Sequence, residues 1–403
     1  MAMTLQAQRL ARIGDWARRY VDDGRVAGLS VLIRQGGQEV FFDAAGRRDL
    51  EGGAPFARDT VARIYSMTKP ITSLVAMMLV EEGLVHLDAS LSRFLPEFSA
   101  PEALIHGAAR LDQTAPCAVP TLHQLLTHRS GLSYAFNPGP VPEEMAARDL
   151  TFAPRAGTLA QTCTALADLP LAFAPGTRWE YSVGIDVIGR VIEVVTGQSL
   201  AEVFQGRVFA PLGMDETGFA VTEPLRHRFA ALYTRLQGDG MDLNAGGTSA
   251  TAPLRMIDAG SHSPFFNPTC LSGGGGLVGT IDDYMRFAEC LRQGGQGLVS
   301  SATLDFMMRN HLPGDIASLG PSSFAEQPMR GMGFGIGGAV VLDPGLSGVP
   351  GSVGDFSWGG MASTFFWVDR VHDISAVLFT QLSPSSSTPA RAELKALVHG
   401  ALM

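Results

Sequence analysis

The feature that most constrains the fold is a serine and a lysine placed immediately before a long apolar segment. Ser66 and Lys69 are followed by residues 71–80, in which only Thr72 and Ser73 are polar. This pattern predicts a loop that delivers Ser66 to the start of a buried helix. Residues three apart share one face of a helix, so Lys69 is expected to lie beside the Ser66 hydroxyl.

The residue types in this segment indicate proton transfer. A serine becomes a nucleophile when a neighbouring group removes its proton, which lysine can do and arginine cannot. Lys69 and Lys395 are the only lysines in a chain with 30 Lys and Arg residues. Pro70 disfavours helical geometry at Lys69, and such local conflicts are typical of functional sites. The alternative is a buried amphipathic helix in which Ser66 and Lys69 are incidental.

The length and charge of the chain limit the possible classes of function. A chain of 403 residues can form a large core and two lobes. A formal net charge of −9 without a basic tract argues against nucleic acid and acidic membranes as partners. No apolar run reaches the roughly 18 residues of a membrane span, and the N-terminus lacks a secretory signal pattern. We therefore expect a cytoplasmic protein that binds neither nucleic acid nor membrane.

The sequence lacks motifs for metals, disulfides and nucleotides. The four cysteines are widely spaced without a C-x-x-C pair, so free buried thiols are expected. His123 and His128 have the wrong spacing for two ligands on one helical face, and we interpret both as structural. Residues 333–338 match G-x-G-x-x-G, but an apolar strand follows instead of a helix. The glycines of 272–276 are interpreted as a turn, so we predict no metal and no cofactor.

The periodicity along the chain predicts helices and β-hairpins. Alternation on either side of a glycine turn indicates one hairpin near the N-terminus, and a second, longer hairpin is expected near the C-terminus. Apolar spacing of three to four residues indicates helices. The expected helices span residues 5–23, 121–131 with a stop at Gly131, 186–196, 282–292 and 389–402, and the expected hairpin strands span 29–34, 39–44, 361–368 and 373–381.

The order of these elements predicts an α/β (α+β) fold with an antiparallel sheet covered by helices. An opening helix and hairpin argue against βαβ winding. The pattern is mainly helical over residues 66–219, and strands return afterwards. We therefore predict a discontinuous sheet domain, 1–65 and 220–403, around an inserted mainly helical domain, 66–219.

Tyr181 is the candidate acid/base partner of Ser66. A phenol held near a lysine ammonium has its anion favoured, so it can take and return a proton. Among six tyrosines, Tyr181 alone lies on a polar loop that opens a helix. The alternative is a tyrosine that packs at a domain seam.

A third candidate segment contains Trp358, Gly359 and Gly360 at the start of a predicted strand. Glycines would let a substrate approach the backbone closely, and an N–H group at a strand edge can complete an oxyanion hole. The alternative is a β-bulge with a packed tryptophan.

These three segments together resemble a known family. Ser66-x-x-Lys69, Tyr181-Ser-Val and Trp358-Gly-Gly occur in the order and approximate spacing found in β-lactamase-like serine hydrolases. The chain resembles in particular the family VIII carboxylesterases, which are relatives of class C β-lactamases. The resemblance covers essentially the whole chain. It implies a β-lactamase/penicillin-binding-protein-like fold with the active site where the sheet and the helical domain meet.

The resemblance also implies roles for individual residues. Ser66 is similar to the nucleophile of the family, Lys69 to the base that activates it, and Tyr181 to the proton shuttle. The backbone N–H groups of Ser66 and Met361 would form the oxyanion hole. No histidine is needed as a base in this arrangement.

Two departures from the β-lactamase pattern indicate the substrate preference. Val183 stands where those enzymes have the asparagine of Tyr-x-Asn, and Trp358-Gly359-Gly360 stands where they have Lys-Thr-Gly. An apolar wall then replaces a lysine that could bind a substrate carboxylate, which favours uncharged esters over β-lactams. Trp358 and Tyr134 are expected to line a pocket for a short acyl or aryl group.

The predicted activity is hydrolysis of short-chain, uncharged carboxylic esters through an acyl-enzyme on Ser66, with a small molecule as the partner. The alternatives are an acyltransferase, a D-amino-acid amidase or peptidase, or a weak β-lactamase at the same site. A non-catalytic penicillin-binding-like module is a further alternative. The absence of G-x-S-x-G excludes the nucleophile elbow of α/β-hydrolases. Nothing in the sequence indicates the oligomeric state.

Overall fold

The computed structural model of the protein describes residues 3–152, 157–237, 252–259, 261–321, 323–324 and 327–403. The helices are α1 (Ala7–Asp22), α2 (Thr68–Glu81), α3 (Leu122–Leu126), α4 (Pro140–Ala147), α5 (Leu159–Ala167), α6 (Gly184–Thr196), α7 (Leu200–Phe204), α8 (Ala210–Leu212), α9 (Ile281–Arg292), α10 (Ser301–Met307), α11 (Pro344–Ser347) and α12 (Ala390–His399). The strands are β1 (Gly28–Gln35), β2 (Gln38–Gly46), β3 (Ala62–Arg63), β4 (Glu102–Leu104), β5 (Thr114–Pro116), β6 (Leu232–Thr234), β7 (Arg255–Asp258), β8 (Val278–Gly279), β9 (Ser323–Phe324), β10 (Gln327–Pro328), β11 (Met332–Phe334), β12 (Ala339–Val341), β13 (Phe356–Gly359), β14 (Phe365–Asp369), β15 (Ile374–Thr380) and β16 (Leu382–Ser383).

Within the described residues, the largest sheet has seven strands in the order β11-β12-β13-β14-β15-β1-β2. Every neighbouring pair is antiparallel. The two ends of the chain meet in this sheet, because β1 pairs with β15, with Leu29 opposite Thr380 and Gln35 opposite Ile374. The predicted mixed fold with an antiparallel sheet is therefore confirmed.

Both faces of the sheet are buried along β15. Successive side chains of a strand point to opposite faces, and in β15 Ala376 and Leu378 pack into a cluster with residues of α1 and α12. Val377 and Phe379 belong instead to the main core, which contains residues of α2 and α9. The apolar residues of β15 therefore serve two packing layers.

The helices between the N-terminal hairpin and the later strands share the main core with the sheet. Residues from Thr68 to Leu79 of α2 are all buried, which explains why this segment is apolar on every side. The same hydrophobic cluster includes Leu32 and Phe366 of the sheet and Leu200 of α7. The division at residues 65/66 and 219/220 into two domains stays a prediction.

The helix predicted over 121–131 is wrong at its C-terminal end. It ends at Leu126, and His128 already has a left-handed backbone with φ 56°. The chain therefore leaves the helix at a histidine, before Gly131 is reached. By contrast, α6 ends at Gly197 with φ 67°, as its sequence predicts.

The strand predicted over 361–368 is also wrong at one end. It begins at Phe365, because Met361 lies in a tight turn in which the N–H of Ser363 donates to the carbonyl of Gly360 at 3.1 Å. The predicted N-terminal hairpin and the closing helix correspond to β1–β2 and α12.

Two predictions from the sequence, on the cysteines and on membrane-spanning helices, can be compared with the structure of the described residues. All four cysteines are free, and Cys163, Cys270 and Cys290 are buried. In the described part of the chain, every helix is too short or too polar to cross a bilayer.

Candidate active site

Ser66 lies in a single 3₁₀ turn, Tyr65–Met67, that leads directly into α2. Tyr65 has φ 42°, a left-handed conformation that is uncommon for a residue with a side chain. Its ring packs edge-on against Phe265, with 5.9 Å between the centroids. Unusual backbone conformations of this kind cluster at active sites.

Pro70 does not break the helix, and Lys69 is helical directly before it, in the conformation that a following proline disfavours. Pro70 is the third residue of α2, where backbone N–H groups have no partner within the helix. A missing N–H therefore costs little at this position. Lys69 is helical and presents its side chain to Ser66.

The ammonium of Lys69 is fully buried and contacts three oxygen atoms. Its Nζ lies 3.2 Å from Ser66 Oγ, 2.9 Å from the hydroxyl of Tyr134 and 2.7 Å from the carbonyl of Gly274. As an ammonium, Lys69 can donate to all three. As a neutral amine, it can donate to Tyr134 and Gly274 and turn its lone pair toward the Ser66 hydroxyl. The same geometry thus accommodates both protonation states.

Behind Lys69 lies the buried carboxylate of Asp186. Its Oδ1 accepts from the hydroxyl of Ser272 and from the N–H of Gly274 at 2.9 Å, and its Oδ2 accepts from the Tyr134 hydroxyl at 3.3 Å. Burial raises the pKa of Asp186, although the Lys69 charge and these hydrogen bonds act in the opposite direction. Burial and the Asp186 charge also raise the pKa of Tyr134 well above its ordinary value. Tyr134 is therefore a neutral phenol that links Lys69 to Asp186.

Tyr181 approaches the same lysine with its ring. Lys69 Nζ lies 4.6 Å from the centroid of the Tyr181 ring, and the phenol oxygen accepts from the indole N–H of Trp358 at 3.3 Å. The rings of His128 and Phe324 each lie 4.8 Å from it, measured between centroids. Tyr181 is thus held from several sides and lines the same cavity as Ser66.

Tyr134 does not lie where it was predicted from the sequence, in the wall of the substrate pocket. It does not line the cavity in the described part of the chain. Its hydroxyl belongs to the hydrogen-bond chain from Lys69 to Asp186, and its ring centroid is 5.1 Å from that of Tyr181. The structure therefore brings two phenols to Lys69, one through its oxygen and one through its ring.

A cavity lies where the helical part and the sheet meet, in front of Ser66. Met361 lines this cavity from the turn after β13, and its N–H donates to no acceptor among the described residues. This leaves the N–H available to a substrate oxygen. The residues around the cavity are Ser66, Tyr181, Phe324, Met329, Trp358, Gly359, Gly360, Met361, Ser385 and Arg391.

Gly359 and Gly360 are required by packing. A Cβ atom at Gly360 would collide with the carbonyl oxygen of Ile64, and one at Gly359 would collide with the guanidinium of Arg391. The absence of side chains thus lets β13 lie directly against the loop that carries Ser66. This gives the two glycines a structural function beside the expected one, access of substrate to the backbone.

Arg391 is a cavity residue that the sequence analysis did not identify. It lies on α12, is 4 % exposed, and donates to the carbonyls of Gly360 and Thr364 at 2.7 and 3.1 Å. A cation therefore stands near Trp358 in the wall that was expected to be apolar. Its position depends on how α12 packs against the sheet, and no local sequence motif predicts that packing.

The two histidines interpreted as structural lie apart from Ser66. Burial lowers the pKa of His128 well below its ordinary value, and its Nδ1 accepts from the N–H of Ser182 at 3.2 Å. His123 Nε2 lies 3.0 Å from His311 Nδ1. Neither contacts the Ser66 hydroxyl.

Comparison with known proteins agrees with this arrangement. The Beta-lactamase family matches residues 13–400. Esterase EstB of Burkholderia gladioli is 34% identical over 387 residues, covering 93% of this chain and 90% of that protein. Lovastatin esterase of Penicillium rubens is 30% identical over 387 residues, covering 89% of each. The solved structure of EstCE1, a hydrolase with promiscuous acyltransferase activity, aligns with a TM-score of 0.79 and 30% identity over 98% of this chain and 99% of that one. The chain therefore belongs to the beta-lactamase family.

Proposed function

We propose that this protein is a serine carboxylesterase that hydrolyses short-chain, uncharged esters through an acyl-enzyme on Ser66. The observation that carries the proposal is the 3.2 Å contact between Lys69 Nζ and Ser66 Oγ at a cavity that Tyr181 and Trp358 also line. The two esterase relatives support the reaction class. A cytoplasmic location stays a prediction from the sequence.

In the acylation step, Ser66 Oγ attacks the ester carbonyl carbon while its proton passes to Lys69. The negative charge that develops on the carbonyl oxygen accepts from the N–H groups of Ser66 and Met361. Tyr181 takes the proton from Lys69 and delivers it to the departing alkoxide. The C–O bond of the ester breaks, the alcohol leaves, and Ser66 carries the acyl group.

In the deacylation step, water attacks the acyl carbonyl and gives its proton to the same lysine and phenol. The second tetrahedral intermediate collapses, and the proton returns to Ser66 Oγ as the carboxylic acid departs. Asp186 takes no proton in this scheme. Through Tyr134 and Gly274 it positions Lys69.

Arg391 is compatible with an uncharged substrate. Its guanidinium donates to the carbonyls of Gly360 and Thr364, so it fixes the backbone on both sides of the turn that holds Met361. Trp358 and Phe324 supply the apolar surface against which a short acyl group would pack.

The direct test is the Ser66→Ala variant with p-nitrophenyl butyrate as substrate. We expect loss of turnover, because no nucleophile remains. Ser73→Ala is the matched control, since Ser73 lies on α2 and its buried hydroxyl has no partner within the described residues. We expect wild-type turnover from this control. Undiminished hydrolysis by folded Ser66→Ala protein would falsify the proposal.

Acyl transfer to an alcohol is a second candidate function. It is favoured by the likeness to EstCE1 and by the buried, aromatic wall around Ser66, which limits access of water. Product analysis of p-nitrophenyl butyrate turnover with added short alcohols measures the ratio of new ester to free acid. A chromogenic cephalosporin tests the β-lactamase alternative, for which we expect slow turnover.

A further inference from the structure

A cluster of two histidines and one aspartate lies where α12 ends against the sheet, apart from the cavity at Ser66. Asp369 is the last residue of β14, His372 lies in the turn before β15, and His399 is the last residue of α12. One ligand atom from each residue lies within 4.8 Å of the others. We refer to these three residues as the Asp–His–His cluster.

The carboxylate of Asp369 is oriented by the backbone. Its Oδ1 accepts from the N–H groups of Val371 and His372 at 2.9 and 3.0 Å. Its Oδ2 lies 2.8 Å from His372 Nδ1 and 3.3 Å from His399 Nε2. One carboxylate oxygen of Asp369 therefore faces two imidazole nitrogens.

The other ring nitrogen of His399 determines what Nε2 can do. His399 Nδ1 lies 2.9 Å from the backbone carbonyl of Lys395, which can only accept, so Nδ1 carries a hydrogen. In the neutral imidazole, Nε2 then presents a lone pair to Asp369 Oδ2. Two acceptors at 3.3 Å repel, so a positive charge must lie between them, either a proton on Nε2 or a metal ion. A histidine whose second N–H donates to a backbone carbonyl is also typical of metal ligands.

The cluster is not a second nucleophilic triad. Ser352 Oγ lies 2.9 Å from His372 Nδ1 and 2.8 Å from Asp369 Oδ2. In a triad, the serine and the carboxylate contact different nitrogens of the ring, whereas here both contact Nδ1. The hydroxyl of Ser352 is available instead as an oxygen ligand or as a donor to the carboxylate.

We propose that the Asp–His–His cluster binds one Zn²⁺ ion through Asp369 Oδ2, His372 Nδ1 and His399 Nε2, with the Ser352 hydroxyl or water as the fourth ligand. Two imidazoles and a carboxylate form a ligand set that zinc prefers. Tetrahedral bonds of about 2.1 Å place ligand atoms about 3.4 Å apart. Asp369 Oδ2 lies 2.8 and 3.3 Å from the two imidazole nitrogens, and all three ligand atoms lie within 4.8 Å of one another. No metal was predicted from the sequence, because Asp369 and His372 alone form no metal motif and His399 joins them only after α12 packs against the sheet.

The ion would fasten the end of α12 to the turn between β14 and β15. This matters for the catalytic cavity, because α12 also carries Arg391. The charge of the ion is partly balanced by Asp369, while the neighbouring Lys395 lies 2.8 Å from Asp355 and is not a competing ligand. The proposed ion is structural and takes no part in ester cleavage.

The test uses the full-length protein after dialysis against a chelator. Calorimetric titration with zinc sulfate at neutral pH is expected to give one ion per chain. At a zinc concentration about a hundredfold above Kd, the Tm is expected to rise by about 3 °C. Co²⁺ is expected to give the visible absorption of a tetrahedral site.

Single-residue variants test which side chains bind the ion. His372→Gln and His399→Gln should each remove the bound ion and the Tm shift, as should Asp369→Asn if it folds. His123→Gln is the matched control, because His123 and His311 form another close histidine pair without a carboxylate, and it should bind zinc normally. Absence of zinc binding by the folded wild-type protein overturns the proposal. So does binding that survives both cluster histidine variants or is lost only in His123→Gln.

Discussion

The two lysines of this chain are both buried, yet they lie in opposite chemical surroundings. Lys69 donates to three uncharged oxygens, and the carboxylate of Asp186 is linked to it through the Tyr134 hydroxyl. Lys395 on α12 lies 2.8 Å from the buried carboxylate of Asp355. One lysine lies behind the Ser66 hydroxyl at the cavity, and the other holds a helix to the sheet.

This difference separates two uses of the same side chain. An ammonium in direct contact with a carboxylate loses a charge–charge attraction when it gives up its proton. An ammonium whose direct partners are neutral oxygens loses hydrogen bonds, which the neutral amine largely retains, and a weaker attraction to a carboxylate farther away, here Asp186 behind Tyr134. Burial and residue type are therefore insufficient to identify a base, and the first contacts of the amine decide its function.

We expect the largest effect on activity when the two lysines are replaced, one at a time, with arginine. Arginine cannot act as a base, so Lys69→Arg should lower kcat/KM for p-nitrophenyl butyrate by about a thousandfold or more. Lys395→Arg keeps the charge beside Asp355 and should leave kcat/KM within about twofold of wild type. Steady-state kinetics on both variants, with circular dichroism to check folding, measures the contrast. Equal losses in the two variants would remove the distinction between the lysines.

When the same two lysines are replaced with methionine and the unfolding free energy is measured, the larger loss should occur at Lys395 and the smaller one at Lys69. Lys395→Met leaves the Asp355 carboxylate buried without its cation, which should cost about 3 kcal/mol of unfolding free energy. Lys69→Met removes hydrogen bonds to neutral oxygens, and the donors to Asp186 remain, so a loss of about 1 kcal/mol is expected. Urea unfolding followed by tryptophan fluorescence gives both values. A larger loss in Lys69→Met contradicts the comparison.

The two tyrosines near Lys69 provide a further test of which contacts of this lysine matter for activity. Tyr181→Phe removes the hydroxyl that lines the cavity and should lower kcat about a hundredfold. Tyr134→Phe breaks the link between Lys69 and Asp186 but leaves the cavity unchanged, so a loss of about tenfold is expected. The ratio of the two kcat values is the measurement. A greater loss in Tyr134→Phe would assign the proton shuttle to that residue instead.

The smallest expected effect is a pH dependence of stability caused by Asp186. Its pKa is raised in the folded protein, mainly by burial, so folding favours its protonated form. This group therefore contributes stability at low pH that is lost as the pH rises through the folded pKa. The measurement is the unfolding free energy of wild type and of Asp186→Asn at several pH values. The stability advantage of wild type over the variant should be about 1 kcal/mol larger in mild acid than at neutral pH. A difference that grows with rising pH would contradict the assignment.

The fold and the reaction class could be predicted because their signals are local or repeated. The i, i+3 spacing of Ser66 and Lys69, the alternation in the N-terminal hairpin, and three motifs in order were sufficient, and the family and esterase relatives agree with them. The roles of Tyr181 and Met361 stay predictions. The role of Tyr181 can be tested with the Tyr181→Phe variant described above.

The remainder of the site could not be predicted, because it depends on segments that meet only after folding. The carbonyl of Gly274 approaches Lys69 from a loop, and the carboxylate of Asp186 approaches it from the first turn of α6. Arg391 reaches the cavity from α12, whose amphipathic pattern predicts a helix without saying what it packs against. Gly274 was interpreted as part of a simple turn, and its close contact with Asp186 explains why glycine is needed there.

The contact between Gly360 and the Ile64 carbonyl has a consequence for how such an enzyme can diversify. Because Gly360 rests on the backbone preceding Ser66 and Arg391 holds both sides of the turn at Met361, the spacing between the two N–H groups proposed for the oxyanion hole does not depend on Phe324 or Met329. Replacing Phe324 or Met329 can therefore reshape the acyl pocket while the polarisation of the carbonyl group is preserved. New substrate ranges can then arise without rebuilding the apparatus that activates them.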